Sequence, residues 1–228
     1  MEKSPEKAPK DKPIITQEEA QPPKEKKWSS SNWKTILTES MLIVFSILLA
    51  LLINQWTNNL QLKKQKNRSL SLIVQELEHN RNSLENLAPY HQRFADKLDA
   101  LIQSDSFPEA FARMNGMEIL RSGIMTSGLG KPDVQSTAWN AAQLSNAINL
   151  FDDQTLYTLS SIYELQEEGV DIVWKEVGRY ILSAEMLDPQ RKEIALKLLS
   201  IYINELASQE LFLKEKYEDG LKELSPVK

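Results

Sequence analysis

The sequence predicts an all-α protein that is held at a membrane by one N-terminal helix. Three observations lead to this prediction: an apolar run near residues 36–56, apolar residues spaced three and four apart downstream, and no segment that alternates like a strand. Glycine is scarce, at 7 of 228 residues, and few helix breakers interrupt the Leu, Glu, Lys and Gln. The predicted architecture is a disordered tail, one transmembrane helix and an antiparallel helical bundle.

Residues 1–32 are predicted to form the disordered tail. The segment is rich in Lys, Glu, Gln and Ser and contains five prolines: Pro5, Pro9, Pro13, Pro22 and Pro23. Such a composition buries too little apolar surface to offset the entropy lost on ordering.

Residues 33–56 are predicted to form the transmembrane anchor. The uninterrupted apolar centre, 41–53, is only 13 residues and about 20 Å of helix, but 36–56 is 21 residues and about 31 Å, which spans a hydrocarbon core of ~30 Å. Trp28, Trp33 and Trp56 flank the run like an aromatic belt. A cleaved signal peptide is disfavoured because no small-x-small cleavage site follows. A buried core helix is disfavoured because every face is apolar.

The anchor resembles that of a known family. Residues 39–56 read ESMLIVFSILLALLINQW, which is similar to the N-terminal anchor of a family of uncharacterised single-span bacterial membrane proteins. The family pattern is a Glu, an aliphatic stretch with a central Gly, and Leu-x-Ala-Leu-x-Ile-Asn-Asn-Trp. This chain has Ser46 at the glycine and Gln55 at the second Asn. The resemblance implies the bacterial inner membrane and a periplasmic C-terminal domain, and it implies no activity.

The charged residues around the anchor leave its orientation open. Four lysines precede it within residues 24–34, and four basic residues follow it within residues 63–68, so the positive-inside rule gives no clear answer. Glu39 has two explanations: it lies at headgroup depth, where the positive helix N-terminus favours an anion, or it makes a polar contact between spans of an oligomer.

Beyond the anchor we expect a solvated helical stalk at 57–69 and a helical-bundle domain at 70–228. The first bundle helix continues from the stalk, and Pro89 is expected to kink or restart it. Its apolar stripe is broad: Leu70, Ile73, Val74, Leu77, Arg81, Leu84, Leu87, Ala88, His91, Phe94, Ala95, Leu98, Leu101 and Ile102.

The rest of the chain is predicted to form a long connection and three helices. Residues 103–135 contain four glycines and two prolines, with one short helix expected near 107–115. Helices are then expected at 136–151, from a cap at Asp152 or Asp153, and from an N-cap at Asp188 followed by Pro189. The last helix has a heptad stripe that Glu210 interrupts, with Gly220 as its expected stop: Leu196, Leu199, Ile203, Leu206, Leu213 and Tyr217.

No catalytic, cofactor or metal site is predicted. Glu76 and His79 form half of a di-iron E-x-x-H motif, but His91 has Ala88 three residues before it, so the second half is missing. The glycines at 123–130 lack the lysine spacing and the preceding strand of a phosphate loop. Cysteine is absent, which removes disulfides and thiolate chemistry.

Function is therefore predicted only as a class. From Thr57 onward the chain contains 19 Lys and Arg residues and 25 Asp and Glu residues. This excess of acidic residues disfavours nucleic acid as a partner. We expect a non-enzymatic interaction or scaffold protein whose partners are the lipid bilayer and a second copy or another membrane protein. The alternative is an extracytoplasmic ligand-binding or sensory domain with a pocket among Trp139, Tyr163, Trp174 and Tyr180. Self-association is expected through the stalk or through the last helix at Ile201 and Tyr202, which lie beside its stripe.

Overall fold

The computed structural model describes residues 31–104 and 108–224, and in these residues every regular element is a helix, which confirms the all-α prediction. Residues 1–30 of the predicted disordered tail lie outside the described part. The α-helices are α1 (Ser31–Ile102), α2 (Gly116–Ile119), α3 (Thr137–Leu144), α4 (Asp153–Leu165), α5 (Ile172–Ile181), α6 (Ala184–Leu187) and α7 (Lys192–Leu224). Short 3₁₀ turns cover Glu109–Phe111 and Ala147–Leu150, and wide π turns cover Leu120–Ile124 and Gln166–Asp171.

The chain divides into two compact units, residues 1–54 and 55–228. In the first unit, the described part is the apolar beginning of α1, and its side chains from residue 33 onward are exposed. The most apolar 18-residue window of α1 has a mean hydropathy of 2.5, and none of it is buried. This helix is long and apolar enough to cross a membrane, and its exposure distinguishes it from the core helix of a soluble protein.

The second unit is built around α7. Ser200 donates a hydrogen bond to Asp99 of α1, and farther along α7 Glu210 meets His91 of α1. Residue numbers therefore rise along one helix as they fall along the other, so α7 is antiparallel to α1. The predicted heptad stripe of α7 is fully buried in this core: Leu196, Leu199, Ile203, Leu206, Leu213 and Tyr217.

Within the predicted helical bundle, α7 is antiparallel to α1, whereas α4 runs parallel to α1. Lys66 pairs with Asp152 at 3.3 Å and Glu76 accepts a hydrogen bond from Tyr163 at 2.6 Å, so residue numbers rise together along the two helices. The long connection between residues 103 and 152 allows this direction, because it carries the chain back along α1 before α4 begins. Asp152 is the N-cap of α4, as predicted, and accepts from the backbone N–H of Thr155 at 3.0 Å.

Two residues expected at helix breaks lie inside helices. Of the two alternatives for Pro89, a kink or a restart, the restart is wrong, because Pro89 lies inside α1 on the exposed side, where water can hydrogen-bond the carbonyl that proline leaves unpaired. Helix α7 does not stop at Gly220 but continues to Leu224. A Cβ atom at Gly220 would lie 2.5 Å from Cδ1 of Ile162, so the missing side chain permits the close packing of α4 on α7.

Other boundaries differ from the predictions. The last helix begins at Lys192, because the Asp188 side chain accepts from the backbone of Gln190 at 2.8 Å in a turn that precedes the helix. The helix expected at 136–151 is interrupted at Asn146, which has a left-handed backbone conformation with φ 55°. The short helix expected near 107–115 is reduced to a 3₁₀ turn, and the helical turns of this connection lie later, at 116–124.

Candidate functional site

Glu76 is a buried carboxylate that joins α1, α3 and α4. One of its oxygens accepts from the backbone N–H of Ala138 at 2.7 Å, and the other accepts from the N–H of Trp139 at 3.3 Å and from the Tyr163 hydroxyl at 2.6 Å. The two N–H groups belong to the first turn of α3, where the helix dipole favours an anion. Burial, followed by the hydrogen bond to Glu76, raises the pKa of Tyr163, so this hydroxyl remains a donor.

The E-x-x-H half-motif does not form a metal site. Glu76 points into the hydrogen bonds just described, whereas His79 is exposed and meets Asp133 at 3.1 Å. His91 is fully buried and pairs with Glu210 instead. Across residues 31–104 and 108–224, no cluster of three or more His, Cys, Asp or Glu side chains could hold a metal ion.

Three buried amide and hydroxyl groups extend the polar network away from Glu76. Asn80 exchanges hydrogen bonds with the backbone of Gln135, donating at 2.7 Å and accepting at 2.8 Å. The side-chain oxygen of Gln166 accepts from Asn80 at 3.2 Å and from the Tyr217 hydroxyl at 2.6 Å. These bonds fix the start of α3 relative to α1, α4 and α7, since breaking any one would leave a buried polar group unpaired.

A cleft of about 600 Å³ opens beside this network, between α3, α4 and the π turn at 166–171. Trp139 and Tyr163 are stacked in its wall, with ring centres 5.1 Å apart and planes within 5°. Polar and acidic side chains form the rest of the lining: Ser136, Asn140, Gln143, Ser160, Glu164, Gln166, Glu167, Glu168, Asp171 and Lys175. The cleft is therefore mostly polar, and four carboxylates face a single lysine.

Asp171 is the half-buried carboxylate of the cleft. Burial raises its pKa, against the opposing attraction of Lys131 and Lys175. The four predicted pocket aromatics do not meet here: Trp139 and Tyr163 line the cleft, but Trp174 and Tyr180 do not. Trp174 donates to the carbonyl of Gly130, and Tyr180 packs against Tyr202 with ring centres 5.3 Å apart.

Residues 125–135, which we call the strap, lie across α1 and α5. Three successive carbonyls of the strap are hydrogen-bonded by helix side chains: Gly128 by Tyr90, Leu129 by His91 and Gly130 by Trp174. A phosphate loop presents backbone N–H groups to its ligand. Here it is the carbonyls that are engaged, and their partners are protein donors.

The pair His91 and Glu210 is fully buried between α1 and α7, each side chain 0% exposed. Nδ1 of His91 lies 2.8 and 2.9 Å from the two carboxylate oxygens, and Nε2 lies 2.5 Å from the carbonyl oxygen of Leu129. Burial lowers the pKa of His91, but the hydrogen bond and charge of Glu210 and the Leu129 carbonyl outweigh it, and the net pKa is raised. This pair has one signal in the sequence, since Glu210 interrupts the heptad stripe of the last helix and His91 lies within an apolar stripe.

The opposite side of α7 carries exposed apolar side chains, and we call it the outer face: Ile194, Leu198, Ile201, Tyr202 and Phe212. Ile194 is 66% exposed, Leu198 43% and Ile201 65%. Spacings of four and three place these three residues along one stripe of the helix, turned away from the buried heptad positions. The structure thus places Ile201 and Tyr202 at the surface, as the sequence predicted for an association site.

Comparisons of the chain with protein-family models, with curated proteins and with solved structures give no match.

Proposed function

We propose that this chain is a membrane-anchored, non-enzymatic interaction protein that associates with a second copy of itself through the outer face of α7. The outer face is the observation that carries the proposal. Single exposed apolar residues are ordinary on a soluble domain, whereas a row of them along one helix is typical of an interaction site. The core behind α7 is already filled, so the row is not needed to complete the domain itself.

Charge placement favours a second copy as the occupant. Lys197 and Glu205 are exposed and lie four residues before and four residues after Ile201. When two α7 helices cross antiparallel at Ile201, Lys197 of each copy meets Glu205 of the other, and both ion pairs flank the apolar contact.

The test is the oligomeric state of the full-length protein in mild detergent, measured by crosslinking and light scattering. The double change Ile201→Glu and Tyr202→Glu places charge in the apolar contact and is expected to reduce the dimer at least about tenfold. Tyr157→Glu is the matched control, because Tyr157 on α4 is 74% exposed and apolar but lies outside the outer face. A wild-type protein that is monomeric at all concentrations contradicts the proposal.

A charge exchange tests the antiparallel geometry independently. Lys197→Glu alone places like charges opposite each other and is expected to weaken the dimer. Adding Glu205→Lys to the same chain reverses both partners of each pair and is expected to restore it. If the double variant is as weak as the single one, the two side chains do not meet across the contact.

For location, we propose the bacterial inner membrane, with residues 1–32 inside and the helical domain in the periplasm. The resemblance of residues 39–56 to bacterial single-span anchors supports this orientation, and the missing cleavage site supports a retained span rather than a signal peptide. Protease added to intact spheroplasts is expected to degrade the domain and spare the tail. A protected domain would reverse the orientation.

A second function, ligand binding or sensing, is favoured by the cleft beside Trp139 and Tyr163. Stacked aromatic rings and an excess of carboxylates are the chemistry that recognises an organic cation. A thermal-shift screen with small organic cations separates the two functions. Stabilisation of the wild type that is lost in Asp171→Asn would favour the cleft, whereas dimer loss in the outer-face variants favours association.

A further inference from the structure

The strap is held against the bundle by side chains and not by regular structure. Its middle lies between α1 and α5, where a Cβ atom at Gly130 would come within 3.0 Å of Leu87, and the Leu129 side chain lies beside Gly178. Gly128 and Gly130 both have positive φ, at 73° and 70°. The strap ends at Gln135, which is bonded to the buried Asn80. The middle of the strap can therefore move while its ends stay attached.

His91 is the buried contact at the middle of the strap, and it has a hydrogen-bond acceptor on each side. A backbone carbonyl can only accept, so Nε2 carries a hydrogen and donates it to Leu129. Nδ1 faces the two oxygens of Glu210, so a second proton must lie between the ring and the carboxylate. The closed arrangement therefore requires both protons.

We propose that the buried His91–Glu210 pair is a proton-operated latch, which holds the strap closed while the pair carries its shared proton and releases the strap when that proton is lost. After loss of the proton, one ring N–H remains for two buried acceptors. Either the Leu129 carbonyl or the Glu210 carboxylate is left without its donor, and opening of the strap relieves this by giving the unpaired group access to water.

The charged and titratable groups near His91 determine whether the strap opens as the pH rises or as it falls. Glu210 faces it from α7, and Tyr90 on α1 lies with its ring centre 5.5 Å away. From the strap, Lys131 places Nζ 5.7 Å from the Trp174 ring of α5 and acts on Asp171 of the π turn. Because the pKa of His91 is raised above its ordinary value of 6.5 in the closed state, the latch stabilises closure fully below pH 6.5. That stabilisation is lost as the pH rises through the raised value.

Release would expose the surfaces that the strap now covers. Leu87 of α1 is half-buried under it, and the Leu129 side chain of the strap itself is half-buried beside Gly178. Trp174 would lose its hydrogen bond to Gly130. The strap contact made by the other histidine, His79 with Asp133, is at the surface and open to water, so it contributes little to holding the strap closed. His91 thus belongs to the latch, and His79, whose strap contact is exposed, serves as the control histidine in the same chain.

The absence of cysteine makes the experiment direct. Leu129→Cys introduces a single thiol at the half-buried middle of the strap, and Ile148→Cys introduces one on the half-buried 3₁₀ turn outside it. Maleimide labelling of full-length protein in detergent is measured between pH 6 and pH 10, with each rate divided by that of an unfolded peptide carrying the same thiol. The ratio for Leu129→Cys is expected to rise about tenfold across this range, and the ratio for Ile148→Cys to stay constant.

Two further variants test whether the rise in the labelling ratio comes from the His91–Glu210 pair. His79→Gln is expected to leave the rise intact, and Glu210→Gln is expected to abolish it by removing the carboxylate that holds the proton. If Glu210→Gln does not fold, nuclear magnetic resonance of the two ring signals in the wild type decides, with His79→Gln identifying which is His91. A His91 ring that loses its second proton at or below pH 6.5, or a strap ratio that does not change with pH, overturns the proposal.

Discussion

At the scale of single residues, a few buried polar side chains fix the geometry of this domain. Glu76, Asn80, His91, Gln166 and Glu210 are all buried, and each has its partners within the described part of the chain. A buried polar group costs little when every hydrogen bond is made and much when one is missing. These residues therefore select one arrangement of the helices more than they add to the total stability.

Glu76→Gln is predicted to destabilise the domain by about 2 kcal/mol, a fall of roughly 4–8 °C in melting temperature. The amide keeps the size of the side chain, but in either orientation its NH₂ group would face an N–H of α3, of Ala138 or of Trp139, and both groups are donors. Thermal unfolding followed by circular dichroism measures the change. Glu78→Gln is the control, since Glu78 is exposed two residues away and is expected to change the melting temperature by less than about 2 °C.

Residue roles were only partly predictable from the sequence. The buried heptad positions of α7 follow from spacing alone, because a repeat of three and four defines one face of a helix. The role of Gly220 does not, since a glycine near a helix end has the same sequence signature whether it stops the helix or permits close packing. The partner of Glu76 was also not predictable, because it lies 62 residues away on α3.

At the scale of elements, α4 and α5 form one helical segment interrupted by the π turn at 166–171. Buried side chains on this segment occur at Ile162, Gln166 and Val170, in successive steps of four residues. Steps of four drift around a helix of 3.6 residues per turn, and a wider turn brings them back to one face. The π turn thus keeps α4 and α5 packed on the same side of α7.

Deleting Glu176 is predicted to destabilise the domain by at least about 3 kcal/mol, although its side chain is 42% exposed. The deletion falls in regular helix and rotates the rest of α5 by about 100°. Val177 and Ile181 would then leave the core. The control is deletion of the exposed Glu168, which removes the extra residue of the wide turn, so that the turn can close to a regular helical turn with α5 in place. Its cost is expected to be about 1 kcal/mol or less by denaturant unfolding. Equal stability of the two deletions would show that the wide turn does not accommodate an extra residue.

Helix positions were predicted well where a long apolar period was present, and poorly elsewhere. The period identified α1, α4 and α7, and the capping chemistry of Asp152 located the start of α4. The turns at 109–124 were misplaced because helices of three to five residues contain too few positions for a period to appear. Their place is set by tertiary contacts, such as the donation from Lys192 to the carbonyl of Phe111 at 2.6 Å.

At the scale of the whole molecule, the sequence predicted the parts but not every pairing between them. An apolar stripe shows which side of a helix is buried and carries no information about the direction of its neighbour. The parallel course of α1 and α4 depends on the path of the connection between residues 103 and 152, which meets α1 both through polar side chains and through close apolar packing such as Gly130 on Leu87. Helix α7 carries apolar residues on two faces, and their spacing in the sequence does not show which face lies in the core. The burial of the side chains in the structure identifies the core face.

Removal of residues 1–56 is predicted to give a soluble, mostly helical protein. The buried apolar cluster of the domain lies entirely within residues 73–224, so the anchor contributes nothing to the core. The exposed apolar side chains of residues 33–56 leave with the anchor, whereas the outer face of α7 remains. The fragment is therefore expected to stay in solution without detergent and to dimerise with increasing concentration. Circular dichroism and sedimentation measure both properties, and Ile201→Glu in the same fragment is expected to leave the helical spectrum unchanged while removing the dimer. An insoluble or β-rich fragment would contradict the division into anchor and domain, and a fragment unfolded by Ile201→Glu would place that residue in the core.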